Sequence, residues 1–137
     1  QVNTDQERRY EIMTIYKCNI CGNITVMLDD KGVNPDCCGQ QMELLQAKTS
    51  DAGMEKHVPV ITKDGSIVTI QIGETLHPMT AEHRIEWILL ETGTGFFVTY
   101  LKENDEPIAH FVLDPTDKAV AAYAYCNIHG LWMKPCY

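Results

Sequence analysis

Cys18 and Cys21 stand in a C-x2-C pair and Cys37 and Cys38 are adjacent, so four of the six cysteines crowd into one short stretch. That stretch, from Ile12 to about Ala47, holds too few apolar residues to build a core alone. A disulfide between neighbouring cysteines is strained, whereas two adjacent thiolates and a C-x2-C pair can converge on one metal ion. The arrangement therefore predicts a small module stapled by a metal rather than a disulfide scaffold, and with it a reducing compartment. Four soft thiolates suit tetrahedral zinc, a single iron or some iron–sulfur clusters, and spacing does not choose among them. The turn-rich segments "CNICG" and "DDKGVNPDCCG" punctuate two β-rich runs, "IMTIYKC" and "NITVML".

Residues 1–11, "QVNTDQERRYE", read as a polar, loosely docked extension, and "KTSDAG" at 48–53 reads as a linker. Beyond it "HVPVI", "SIVTIQI", "RIEWILLE", "GFFVTYL", "IAHFVL" and "AVAAYAYC" recur between turn signals such as "KDG", "TGTG", "NDEP" and "DPTD". Short β-rich runs at that spacing predict an antiparallel sandwich or barrel, with "HPMTAEH" as a loop or single helical turn. An apolar fraction of 45% allows a real core there. The formal net charge of −8 argues against nucleic acid or an anionic membrane surface as a partner. No stretch approaches the roughly 18 apolar residues that span a bilayer.

The chain has five histidines. His57, His77, His83 and His129 fall at element ends or in loops, where a β scaffold presents its working residues, whereas His110 sits inside "IAHFVL" and is assigned to packing or solvent. Cys126 and His129 share the stretch "YCNIHGLW". Four imidazoles and one thiolate make five ligands, more than tetrahedral structural zinc needs and enough for iron with one open position. A second zinc site using Cys126 and some of the histidines, or a blue-copper site, fits the spacing as well. In "CNIHG" the amides of Ile128 and His129 are placed to donate to the sulfur.

Five motifs in order, "YKCNICGN", "CCGQQM", "EKHVPVI", "HPMTAEHRIEWI" and "YCNIHGLW", resemble those of the two-iron superoxide reductases of the desulfoferrodoxin family, over about residues 12–133. The resemblance implies a desulforedoxin-like module over residues 12–47, with one iron on Cys18, Cys21, Cys37 and Cys38. It further implies an immunoglobulin-like antiparallel β-sandwich over residues 48–137. The catalytic non-haem iron would there take His57, His77, His83 and His129 equatorially and Cys126 axially. Glu55 and Lys56 match the family's Glu-Lys-His motif. Glu55 would be the carboxylate that can close the sixth position, and Lys56 would draw the anionic substrate and help deliver protons.

The implied activity is one-electron reduction of superoxide to hydrogen peroxide for detoxification, in a cytoplasmic homodimer served by a rubredoxin-type electron donor. Two other readings remain open at this level: a non-enzymatic zinc-ribbon plus β-sandwich binding module, and a pure electron-transfer protein. Cys136 matches no ligand position and reads as a free thiol on a mobile tail.

Overall fold

The computed structural model describes residues 13–50 and 56–136. The expected extension over residues 1–11 and the candidate residue Glu55 lie outside the described residues. Between Gln46 and Ala47 the chain divides into two compact units, and every regular element among the described residues is a strand.

The first unit is built on β1 (Ile15–Lys17), flanked by β2 (Ile24–Val26) and β5 (Glu43–Leu44) in an antiparallel sheet. A hairpin of β3 (Asp36–Cys37) and β4 (Gln40–Gln41) stands beside it in sequence. Its buried cluster consists of Tyr16, Cys18 and Met42, with Met27 and Cys37 packed against them. Such a cluster is far too small to offset the entropy of ordering the segment, so the sulfurs have to supply the rest through a metal.

The second unit holds β6 (Pro59–Asp64), β7 (Ile67–Ile72), β8 (Ile85–Thr92), β9 (Phe96–Tyr100), β10 (Ile108–Val112), β11 (Ala119–Cys126) and β12 (Gly130–Pro135). They form a three-stranded sheet in the order β10-β7-β6 and a four-stranded sheet in the order β12-β11-β8-β9. All the pairings are antiparallel, giving the three-plus-four β-sandwich of immunoglobulin-like domains. Alternation makes the core: Val68, Ile70 and Ile72 from β7 and Ala109 and Phe111 from β10 meet Ile85, Ile88, Leu90, Ala122 and Ala124 from the other sheet. Ile85 and Ile88 both point inward because the β8–β11 register slips between Tyr125 and Cys126, a bulge placed beside the buried thiol of Cys126.

Six of the seven sandwich strands coincide with the β-rich runs of the sequence, and β12 does not. Residues 130–135 pair with β11 along their whole length. The expected mobile tail is therefore corrected: the Cys136 N–H donates to the Val120 carbonyl at 2.8 Å and the side chain packs, partly buried, against the core. Lys48, the first residue of the expected linker, is also built in. It bridges β12 in parallel through Lys48 N–H to Leu131 O and Met133 N–H to Lys48 O, both at 2.9 Å.

Candidate metal centres

The turn joining β1 to β2 carries the C-x2-C pair, closed by Gly22 N–H to Cys18 O at 2.9 Å and Cys18 N–H to Asn23 O at 2.8 Å. Its amides face sulfur: Cys21 N–H donates to Cys18 Sγ and Asn23 N–H to Cys21 Sγ, each at 3.5 Å. The adjacent pair reaches the same point by a different route. Cys38 and Gly39 are the two central residues of the β3–β4 hairpin, with φ of 54° and 76°, the left-handed pair of a type I′ turn. A non-glycine residue held there is strained by on the order of 1 kcal/mol, which metal ligation can offset.

Cys21 Sγ lies 3.6 Å from Cys37 Sγ, and Cys37 Sγ 4.0 Å from Cys38 Sγ. Sulfurs about 2.3 Å from an ion at the corners of a tetrahedron stand about 3.8 Å apart, so the group fits one tetrahedral ion. The charges agree with the distances. Amide donation from Cys21 and Ile20 lowers the Cys18 thiol to about 6, while the sulfurs of Cys21 and Cys18 push Cys37 up to about 12 and raise Cys38. Without a cation, one thiolate keeps its neighbours protonated; a metal ion displaces those protons.

The other group assembles at one pole of the sandwich. His57 precedes β6, His77 follows β7, His83 precedes β8, Cys126 ends β11 and His129 precedes β12. Antiparallel order brings those particular strand ends together, although the residues are far apart in sequence. The ligand atoms of His57, His83, Cys126 and His129 all lie within 4.8 Å of one another. His57 Nε2 and His129 Nδ1 are 3.1 Å apart, and Cys126 Sγ and His129 Nδ1 3.7 Å. Two nitrogens about 2.1 Å from one ion in adjacent positions stand about 3.0 Å apart. His77 stands beside the group, its ring 4.7 Å from that of His57 and 4.6 Å from that of His83.

Buried, unpartnered nitrogens argue most directly for an ion. Nε2 of His77 and of His83 are sealed from solvent with no hydrogen-bond partner among the described residues, an arrangement that costs free energy unless something absent binds them. Nδ1 of His77 sits 2.7 Å from the Pro78 carbonyl, which fixes the ring and leaves Nε2 as the donor. Burial lowers His77 to about 4 and lowers His83 as well, so both rings are neutral ligands at neutral pH. Cys126 is fully buried and accepts from the His129 N–H at 3.4 Å. Of the two amides expected on the sulfur, the described hydrogen bonds include that of His129.

Sequence reasoning missed the residues that hold the imidazoles. Trp132 stacks on His57, ring centroids 4.4 Å apart and planes at 14°. Gly73 lies at φ +84° against the backbone leading into His57; a Cβ there would come within 2.6 Å of the Lys56 carbonyl oxygen. Lys56 is half-buried and close enough to oppose protonation of His83. His110 is exposed and bonds Thr69 across the sheet at 2.9 Å, away from the pole. In sequence, Gly73 of "IGE" and Trp132 of "LWM" carry no mark of the site, because each acts through packing rather than chemistry.

Fold and side chains together define an all-β protein organised around two separate metal centres, one of four thiolates and one of histidines with a thiolate. Residues 49–135 match the family model described as desulfoferrodoxin, and residues 10–45 match the desulfoferrodoxin N-terminal domain. The chain belongs to the desulfoferrodoxin family. It is 45% identical over 124 residues to a desulfoferrodoxin homolog of Archaeoglobus fulgidus, covering 90% of this chain and 98% of that one. It is also 44% identical over 118 residues to the desulfoferrodoxin of Nitratidesulfovibrio vulgaris, covering 86% and 92% of the two chains. The crystal structure of the superoxide reductase from Treponema pallidum superposes with a TM-score of 0.79 at 28% identity, covering 90% of this chain and 98% of that one. The four-cysteine group and the histidine–cysteine group correspond to the two iron centres of that family.

Proposed function

We propose that this chain is a superoxide reductase, joining superoxide, one external electron and two protons to give hydrogen peroxide. The observation that carries the reading is the histidine–cysteine group at one pole of the sandwich, in which Cys126 and the neighbouring His77 are buried while His129 is exposed. In this reading His57, His77, His83, His129 and Cys126 hold the catalytic iron, and Cys18, Cys21, Cys37 and Cys38 hold the other. Iron bound at the pole would supply a one-electron donor for a small oxygen anion.

The chain's own residues do the remaining work. In this reading the substrate enters from the exposed His129 side, and Lys56, half-buried and close enough to oppose protonation of His83, stands near that centre. Lys56 would draw the anion to the site and help deliver protons. Glu55, beside it in sequence, would be the carboxylate available to the metal when no substrate is bound. The His129 N–H on Cys126 Sγ would limit how much charge the sulfur gives a bound iron. Residues 12–47 act as the relay module and 48–137 as the catalytic domain, in a cytoplasmic homodimer fed by a rubredoxin-type donor, as the family resemblance suggests.

Metal analysis with a visible spectrum is the first test. Two irons per chain with thiolate-to-iron charge-transfer bands support the reading; colourless protein holding zinc alone refutes it. Superoxide must then be consumed with donor oxidation and peroxide formation and without dioxygen release. Cys126→Ser is expected to abolish turnover and the band of the catalytic iron while the band of the four-cysteine centre survives; wild-type turnover in that variant would remove Cys126 from the ligand set.

A further inference from the structure

The ligands Cys126 and His129 sit on one turn and His83 on a different loop, and one side chain joins the two. Asn127, next to Cys126 and half-buried, accepts from the Arg84 N–H through Oδ1 at 2.8 Å and donates through Nδ2 to the Glu82 carbonyl at 3.0 Å. Its own backbone N–H donates to the Arg84 carbonyl at 3.1 Å. Glu82 and Arg84 are the immediate neighbours of His83, so the amide straddles that ligand. A backbone N–H only donates and a carbonyl only accepts, so a single orientation of the Asn127 amide satisfies both partners.

The need for such a clasp is visible in the His83 ring. Metal-bound imidazoles ordinarily have their second nitrogen held by a hydrogen bond. His77 has one at Pro78 O, whereas the hydrogen bonds described for His83 run through its backbone and its buried Nε2 has no partner among the described residues. Its direction must then come from its backbone. Within its own loop His83 is tied to Thr80, whose Oγ1 accepts from the His83 N–H at 3.0 Å while the Thr80 N–H donates to His83 O at 2.9 Å. Those bonds shape the loop but do not attach it to the rest of the site. Asn127 makes the attachment, from a position flanked by two other ligands.

We propose that Asn127 is a positioning residue of the histidine–cysteine centre, a clasp that holds the His83 loop against the Cys126–His129 turn and thereby sets how slowly the centre releases its metal. The proposal rests on the ligand assignment above. Its effect is directional: Asn127 touches no reacting atom, and its loss lets one imidazole swing away from the other ligands without unfolding either loop.

Two variants test it. Asn127→Ala removes both side-chain bonds. Asn127→Asp keeps the size and the acceptor facing Arg84 N–H but sets a carboxylate oxygen against the Glu82 carbonyl, breaking the clasp without opening a cavity. The iron-loaded full chain is challenged with excess chelator, and loss of the thiolate band of the histidine–cysteine centre is timed against the band of the four-cysteine centre in the same molecule. Both variants are expected to release the first iron roughly 10–100-fold faster than wild type, with the second unchanged. Release at the wild-type rate in Asn127→Asp, or equal acceleration at both centres, overturns the proposal. Amide exchange in the metal-free chain supplies the readout independent of iron: Asn127→Ala should lose protection at Arg84 while β11 and β12 keep theirs, and unchanged protection at Arg84 counts against the clasp. If wild-type protein shows no thiolate band beyond that of the four-cysteine centre, the ligand assignment itself fails, and the clasp with it.

Discussion

At the scale of single residues, burial decides the charge that each imidazole carries. The ordinary histidine pKa is 6.5, and burial lowers that of His77 to about 4. Between those values the unfolded chain binds a proton at His77 that the folded, metal-free site does not. Stability of the metal-free sandwich is therefore full above pH 6.5, falls as pH drops through the window, and levels near pH 4 after losing on the order of 3 kcal/mol from this residue. His83 shifts the same way and adds to the slope. Urea midpoints of metal-free protein, followed by the fluorescence of Trp87 and Trp132, should fall between pH 7 and pH 4.5; His77→Asn should flatten that fall, and an unaltered slope would show that His77 is not buried neutral. The ligand types were legible in the sequence because cysteine and histidine are scarce and cluster by spacing. The route by which Cys38 reaches the first centre was not, since it lies in a left-handed backbone at Cys38 rather than in its side chain. Asn127 lay inside a quoted motif, yet only its partners 43 and 45 residues away reveal its work.

At the scale of elements, six of the sandwich strands announce themselves as β-rich runs between turn signals. The seventh does not, because "GLWMKP" contains no β-branched residue and ends on Pro135. Residues 47–49 were hidden for a related reason: a segment rich in polar residues docks through backbone bonds to β12, which composition does not register. The side chain of Lys48 adds to that docking. Its Nζ donates to the His129 carbonyl at 2.9 Å and lies 5.1 Å from the centre of the Trp132 ring, the ring that stacks on His57. Lys48→Ala should leave the backbone bridge in place and destabilise the sandwich by about 1 kcal/mol, the sum expected of an exposed cation–π contact and one exposed hydrogen bond. A shift in the urea midpoint with unchanged slope is the expected reading, accompanied by a change in Trp132 emission measured in a Trp87→Phe background. An unchanged midpoint and unchanged emission would mean that the ammonium is free in solution.

At the scale of the molecule, the centre's assembly depends on topology: strand ends distant in sequence meet at one pole because every pairing in the sandwich is antiparallel. The family motifs made the ligand set legible, but the pole itself follows only from the strand order. Charge is distributed on the same scale. A net charge of −8 repels an anionic substrate at long range, so a local cation must dominate at the mouth if association is to be fast. Lys56 is that cation in the proposed mechanism. A unit charge about 6 Å from an approaching anion in a water-like medium contributes roughly 0.7 kcal/mol, about a threefold change in association rate. Wild-type association with superoxide should then slow as salt screens Lys56, over ionic strengths at which the Debye length shrinks from about 30 to about 10 Å. In Lys56→Ala the rate at low salt should drop about threefold and its salt dependence should flatten or reverse sign, since only the repulsive net field remains to be screened. Pulse radiolysis at several ionic strengths measures both quantities, and a variant with the wild-type rate and the wild-type salt slope would reduce Lys56 to a surface charge.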